Sequence, residues 1–199
     1  MRKLTQSYNH GASEVPLIGQ TIGNFFDHAV ERWGDGQALI VRHQNIRWTY
    51  DELKSQVDAF ATGLVSLGLE PGQRIGIWSQ NNAEWAITQF ATAKAGLILV
   101  NINPAYRLSE LEYALNKVQC AALVISPNFK TSDYVQMVCE LAPEIQNNSP
   151  GQLNAEKLPH LRTVIRMGEE TTPGMYNFAQ IAEMGGDQER QKLLALSRE

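Results

Sequence analysis

The sequence predicts an α/β fold: a doubly wound, mainly parallel sheet with a β-hairpin near the N-terminus. Three observations carry this. Apolar runs of strand length begin near Arg74, Leu97 and Ala121. They lie about two dozen residues apart, room for the crossover that parallel strands need and that is almost always right-handed. Each gap holds apolar residues at helical spacing, such as Ala83, Ile87, Phe90, Ala91 and Ala95 in the first.

The elements follow in order. Thr21 opens a helix whose stripe is Ile22, Phe25, Phe26, Ala29, Val30 and Trp33, and Gly34 ends it. Residues 37–42 and 46–48 read as a hairpin around His43, Gln44 and Asn45. Thr49 and Glu52 form a capping box for a helix to about Leu67, stopped by Gly68. The stretch 72–104 reads as strand, polar turn, helix, Gly96 stop, second strand and a turn closed by Pro104. Residues 97–100 are apolar without alternation, which predicts a strand covered on both faces. Ser109 and Glu112 suggest a second capping box before a stripe of Leu111, Ala114, Leu115 and Val118. Residues 121–125 read as a buried strand, 127–130 as a turn and 132–141 as a helix. Residues 161–167 read as a strand at an edge, because Arg162 and Arg166 interrupt it. Residues 146–151 and 171–174 read as loops, 178–184 as a short helix, and 187–199 as a polar helix or linker.

The totals set bounds. The chain has 199 residues, 43% of them hydrophobic, which is enough to bury a sizeable core. Its net charge of −4 gives no long-range pull toward nucleic acid or anionic lipid. No stretch approaches the ~20 apolar residues of a membrane span. Cys120 and Cys139 read as buried reduced thiols, which makes a cytoplasmic location the expectation. Residues 1–18 are expected to be a flexible lead-in without an apolar signal core.

Motifs for several chemistries are missing. His10, His28, His43 and His160 stand alone, so no metal site is expected. There is no G-x-S-x-G, no G-x-G-x-x-G and no G-x-x-x-x-G-K-[ST]. The segment Glu169-Glu170-Thr171-Thr172-Pro173-Gly174 has the composition of a phosphate loop but holds two carboxylates and no lysine. Parallel sheets place ligands at the carboxyl ends of their strands. There the sequence offers Trp78, Trp85 and Tyr106 beside the polar turns, with Asn101, Asn103 and Arg107 after the second strand. Packing and turn capping account for most of these residues; Arg107 is the cation placed to meet an anionic group. Arg107, Tyr106, Asn103 and Trp85 are therefore the candidate cleft residues.

Several segments together resemble the N-terminal part of the AMP-forming acyl-CoA synthetases, in the adenylate-forming superfamily. They are Arg47-Trp48-Thr49-Tyr50-Asp51-Glu52-Leu53; residues 74–85, Arg-Ile-Gly-Ile-Trp-Ser-Gln-Asn-Asn-Ala-Glu-Trp; Ala93-Lys94-Ala95-Gly96; Val100-Asn101-Ile102-Asn103-Pro104; and Ser109-Glu110-Leu111. The similarity runs over residues 20–185 in the same order, and the wording around 81–106 is most like bacterial fatty-acyl and medium-chain synthetases.

The resemblance implies a parent ligase that uses ATP, Mg²⁺ and coenzyme A to turn a carboxylic acid into acyl-adenylate and then acyl-CoA. It implies that residues 19–185 are the first α/β subdomain and that 186–199 lead toward a phosphate-loop subdomain. The family's loop, of the form Ser-Gly-Thr-Thr-Gly-x-Pro-Lys-Gly, is expected shortly after Glu199, with a mobile C-terminal domain beyond it. No family catalytic residue maps onto this chain, so the fragment alone is expected to be inactive, with no tightly bound cofactor and the rest of its own chain as partner. Some family members touch the phosphates of coenzyme A with a basic residue just after this Asn-Pro; here Ala105 follows Pro104 and the arginine comes at Arg107. Two other readings stand beside this one: a stand-alone binding or assembly module, and a flavodoxin-like nucleotide carrier, for which the turn Ser79-Gln80-Asn81-Asn82 lacks a hydroxyl-rich phosphate nest.

Overall fold

A computed structural model describes residues 17–196, together with Gly11 and Glu14. The expected lead-in over 1–18 falls almost wholly outside the described residues, as do 197–199.

Helix α1 (Ile22–Trp33) starts where the Thr21 hydroxyl accepts the Asn24 N–H at 3.2 Å. Strands β1 (Gln37–Val41) and β2 (Ile46–Thr49) form the antiparallel hairpin. Helix α2 (Tyr50–Ser66) begins with the expected capping box: Glu52 N–H donates to Thr49 Oγ1 at 3.2 Å, and Thr49 N–H to Glu52 Oε2 at 2.8 Å. Such a cap contributes about 1 kcal/mol.

The chain then builds β3 (Arg74–Trp78), α3 (Ala83–Lys94), β4 (Ile98–Asn101), α4 (Leu108–Lys117) and β5 (Cys120–Ile125). A small hairpin of β6 (Asn128–Phe129) and β7 (Ser132–Asp133) leads into α5 (Tyr134–Leu141). Strand β8 (Thr163–Arg166), strand β9 (Tyr176–Asn177), α6 (Phe178–Met184) and α7 (Asp187–Leu196) complete it. Gly96 closes α3 at φ +68, the left-handed region where a Cβ is disfavoured.

The main sheet has five strands in the order β4-β3-β5-β8-β9, all parallel. Its pleat sends alternate residues to opposite faces. Ile75, Ile77, Ala122, Val124 and Ile165 join one core with α1, α2, α3, α6 and Leu193 of α7. Trp78, Leu123, Ile125 and Val164 join the other with α4 and α5. The sheet is thus doubly wound, as expected from the sequence.

Three expectations are corrected. The segment 161–167 is not an edge: β8 lies between β5 and β9. Arg166 is tolerated there because it sits at the strand's carboxyl end, buried, and donates both to the Glu170 carbonyl and to its carboxylate. Strand β4 is not covered on both faces; it is the outer strand, and Ile98 is 51% exposed. Its apolar run reflects Leu99 and Val100, half-buried against the two cores on opposite faces, rather than full enclosure. The second capping box is displaced: the N-cap of α4 is Arg107, whose N–H donates to Glu110 Oε2 at 3.0 Å. An arginine side chain has no acceptor, so only half of the reciprocal box forms.

Helices α1, α2 and α3 are tied by an ion network. Lys94 Nζ, buried, meets Asp27 Oδ1 at 2.7 Å and also the Asp58 carboxylate; Lys54 Nζ meets the same two carboxylates at 2.5 and 2.7 Å. Burial pushes the Asp27 carboxyl up, but the hydrogen bonds from Lys54 and Lys94 outweigh it and hold it below its ordinary value of 3.8. Burial lowers Lys54, and its bonds to Asp27 and Asp58 more than reverse this, leaving it raised. A lowered carboxylate stabilises the fold above its unfolded value, and that stability goes as the pH falls through the folded one. The raised lysine contributes fully below its ordinary 10.5 and loses its share as the pH rises through the folded value. Asp27→Asn is expected to lower the melting temperature at neutral pH and to flatten its fall between pH 5 and acid. Parallel melting curves for the two proteins over that range would show that the network does not govern acid stability.

Candidate functional site

Strand β3 is flanked by β4 on one side and β5 on the other, so the chain reverses direction across the sheet at β3/β5. The order is that of flavodoxin-like sheets, whose ligand crevice lies at the carboxyl ends flanking this point. In this protein side chains of the turns flanking that point bond to one another. Ser126 Oγ donates to Gln80 Oε1 at 3.0 Å, joining the turn after β5 to the turn after β3. Ser79 Oγ donates to the Gln80 carbonyl at 2.8 Å and accepts from Asn82 Nδ2 at 2.9 Å. Asn82 Oδ1 caps α3 by accepting the Trp85 N–H at 2.8 Å.

Gln44, from the hairpin turn, adds to these bonds. Its Oε1 accepts the Ala83 N–H at 2.7 Å, and its Nε2 donates to Glu84 Oε2 at 2.8 Å. Two of the donors an anion would need at the start of α3, the Ala83 and Trp85 N–H groups, are thereby taken by side-chain oxygens. No local pattern in the sequence marked Gln44 for this, because its partner lies some forty residues away.

The second polar turn, residues 102–107 after β4, is built differently. Asn103 Oδ1 accepts the Ala105 N–H at 2.9 Å and the Asn103 carbonyl accepts the Tyr106 N–H at 3.0 Å, an Asx-type turn. Two buried aromatic residues fix it from beneath. Trp78 Nε1 donates to the Asn103 carbonyl at 3.1 Å, and the Tyr134 hydroxyl donates to the Pro104 carbonyl at 2.5 Å. Their rings stack with centroids 3.6 Å apart. Burial pushes the Tyr134 phenol up to about 12, against the opposing pull of Arg107, so it remains a hydrogen-bond donor. The sequence pointed to Trp78 by its place beside the turn; Tyr134 gave no such signal, since it reads as an ordinary helix residue.

Arg107 leaves this turn exposed, and its guanidinium donates to Thr131 Oγ1 at 3.3 Å. It borders a groove of about 480 Å³ between the starts of α4 and α5, lined also by Ser109, Asp133, Gln136 and Glu140. Asp133 is engaged as the cap of α5, accepting the Gln136 N–H at 2.9 Å. Among the described residues Arg107 is the only cation lining that groove. Asn103, Tyr106 and Arg107 therefore share one turn on the α4/α5 side of the sheet. Trp85 stands apart, half-buried at the start of α3 against the opposite core.

Among the described residues no group of histidine, cysteine and carboxylate side chains could hold a metal ion, and no helix is long and apolar enough to cross a membrane. Both cysteines are free thiols; burial pushes Cys120 up to about 12, so it stays protonated.

Comparison with known proteins adds the wider context. The AMP-binding enzyme family matches residues 26–184. The chain is 42% identical over 195 residues to a mitochondrial medium-chain acyl-CoA ligase of Danio rerio, covering 98% of this chain and 32% of that protein. The corresponding protein of Homo sapiens is 40% identical over 179 residues, covering 90% of this chain and 29% of its own length. The chain thus spans about a third of the length of these curated relatives. In structure it is similar to an anthranilate CoA ligase solved with anthranoyl-AMP, with a TM-score of 0.71 at 19% identity, over 88% of this chain and 30% of that one. It is also similar to an acetoacetyl-CoA synthetase from Streptomyces lividans, with a TM-score of 0.69 at 22% identity, over 84% of this chain and 25% of that one. At these identities the two structures support the fold.

Proposed function

The chain belongs to the AMP-binding enzyme family, and from that membership we propose that it is the N-terminal part of an ATP-dependent, AMP-forming fatty-acyl-CoA ligase. The observation that carries the proposal is the 42% identity, across 98% of this chain, to a medium-chain acyl-CoA ligase. In this reading a fatty-acid carboxylate oxygen attacks the α-phosphate of ATP, with Mg²⁺ neutralising the phosphates, and pyrophosphate leaves. The coenzyme A thiol then attacks the acyl carbon, forms the thioester and expels AMP. Residues 19–185 serve as the scaffold subdomain, and 186–199 lead toward the segment that carries the phosphate loop. The cytoplasm remains the proposed compartment, although the vertebrate relatives are named as mitochondrial.

The rigid turn at 103–107 is the part of this chain suited to line a substrate or coenzyme A cleft. Asn103 and Tyr106 form its wall, and Arg107 meets a phosphate group. Any contact that Trp85 makes with a ligand is separate from theirs, since it packs on the other side of the sheet. The 199-residue chain by itself is expected to release no pyrophosphate from ATP with Mg²⁺, coenzyme A and fatty acids of any length. Release above a mock preparation would overturn the assignment of the catalytic groups to later segments. Where the reading frame continues past Glu199 into a Gly/Thr/Lys loop, the longer protein is expected to form acyl-CoA; a product with that loop and no ligase activity sinks the proposal.

In that longer protein, Arg107→Ala is expected to raise the KM for coenzyme A about tenfold, the loss of one exposed charge-assisted contact, with acyl-adenylate formation unchanged. An unaltered KM removes Arg107 from the coenzyme A site.

A further inference from the structure

The outer edge of β4 pairs with no other strand among the described residues. Its sequence, Ile-Leu-Val-Asn, carries neither the charge nor the proline that commonly blunts an exposed edge. Ile98 is 51% exposed, and by the pleat it shares a face with Val100. On that face α4 runs alongside the strand and encloses a groove of about 380 Å³. Val100, Ile102 and Ala114 give it an apolar floor, while Glu110 and Lys117 stand on its rim. Tyr113, between them on the helix, is 67% exposed.

The two rim charges are seven residues apart, two helical turns on one face. The chain turns back after β4, so α4 runs antiparallel to it: Glu110 lies toward the carboxyl end of the strand and Lys117 toward its beginning. A two-fold axis normal to the sheet and passing through Leu99 would set Leu99 opposite its own copy and Ile98 opposite Val100 of a second copy, each pair sharing a face. The same axis reverses the second α4. Glu110 of each copy then falls at the level of Lys117 of the other, and the two Tyr113 rings meet between them. Among the described residues Lys117 makes no ion pair within one chain, so it is available for this contact.

We infer that this face is a homodimer interface, in which β4 of one chain pairs antiparallel with β4 of a second copy and the two α4 helices lie side by side. An isologous contact of this kind is self-complementary in main-chain hydrogen bonds, apolar surface and charge at once. The inference does not depend on the proposed ligase activity.

Sedimentation velocity of the 199-residue chain over a range of concentrations tests it. A monomer–dimer equilibrium is expected, weakened roughly tenfold by Lys117→Glu or by Glu110→Lys, since each reversal opposes like charges at both symmetric contacts. Mixing the two variants is expected to restore dimer, because a chain with acidic rims then faces one with basic rims. Ile98→Lys is expected to abolish the dimer. Circular dichroism and thermal melting of each variant separate loss of dimer from loss of fold. A chain that stays monomeric at every concentration overturns the inference, as does a dimer that none of these substitutions weakens. A monomer that dimerises only after residues 1–16 are removed also overturns it, because the edge would then belong to that segment.

Discussion

Gly63→Ala is expected to destabilise the fold by about 3 kcal/mol or more, or to prevent folding altogether, although alanine is the better helix former. Gly63 lies inside α2 and is buried. A Cβ at that position would come within 1.8 Å of the Ile181 carbonyl oxygen and 2.6 Å of its carbon. Those are backbone atoms of α6, which cannot swing aside as a side chain can. Helix propensity favours alanine by about 1 kcal/mol, while forcing two packed helices apart costs about 1–3 kcal/mol and sometimes more. The displacement here exceeds an ångström, and it would also separate the Phe60 and Phe178 rings, now stacked with centroids 4.0 Å apart. A stable domain has about 5–15 kcal/mol in hand, so the loss is large. Urea unfolding followed by circular dichroism measures it, with Gly19→Ala as the control, because nothing lies within 4 Å of a Cβ there. If Gly63→Ala unfolds at the same midpoint as the parent chain, α2 and α6 do not cross at this contact.

That crossing illustrates what the sequence could and could not disclose. The helices themselves were legible: the Thr49–Glu52 box and the stripe through Leu53, Val57, Phe60 and Leu64 are local patterns, and all four of those residues are buried in the first core. The pairing of α2 with α6 was not, because it depends on a glycine meeting a carbonyl some 120 residues away in the chain, and no short-range period encodes that. Parallel strands were legible from the crossover lengths around β3, β4 and β5. Their lateral order was not, and this is why Arg166 suggested an edge for a strand that is flanked on both sides. A charge excludes a position from the interior only when it has no partner, and Glu170 supplies one four residues on. The candidate site divides in the same way. Asn103, Tyr106 and Arg107 are neighbours in sequence and remain so in space. Trp85 joined them only through its nearness to a strand end, and the sheet separates it from them.

Trp78→Ala is expected to be nearly as damaging, at about 3–5 kcal/mol, the usual loss for a large aromatic residue removed from a core. Trp78 has no exposed surface and anchors the second core at the carboxyl end of β3. Its removal strips the stacking partner from Tyr134 and the indole donor from the Asn103 carbonyl. Trp78→Phe separates these roles. It keeps most of the ring contact and loses the N–H, for which about 1 kcal/mol is expected. The Asn103 carbonyl retains the Tyr106 N–H, so it is not orphaned. Tyr134→Phe removes the hydroxyl donor from the Pro104 carbonyl and is expected to cost about 1–2 kcal/mol. Because the two aromatic residues hold adjacent carbonyls of one turn, the double variant is expected to depart from additivity by about 0.5 kcal/mol or more. Chemical unfolding of the four proteins of the Phe cycle gives that number directly. A strictly additive cycle means that the two donors act independently, and then the 103–107 turn is not held by them as a unit. A coupled cycle ties the position of Arg107 to buried residues that never touch solvent, so changes deep in the second core would alter how that cation is presented.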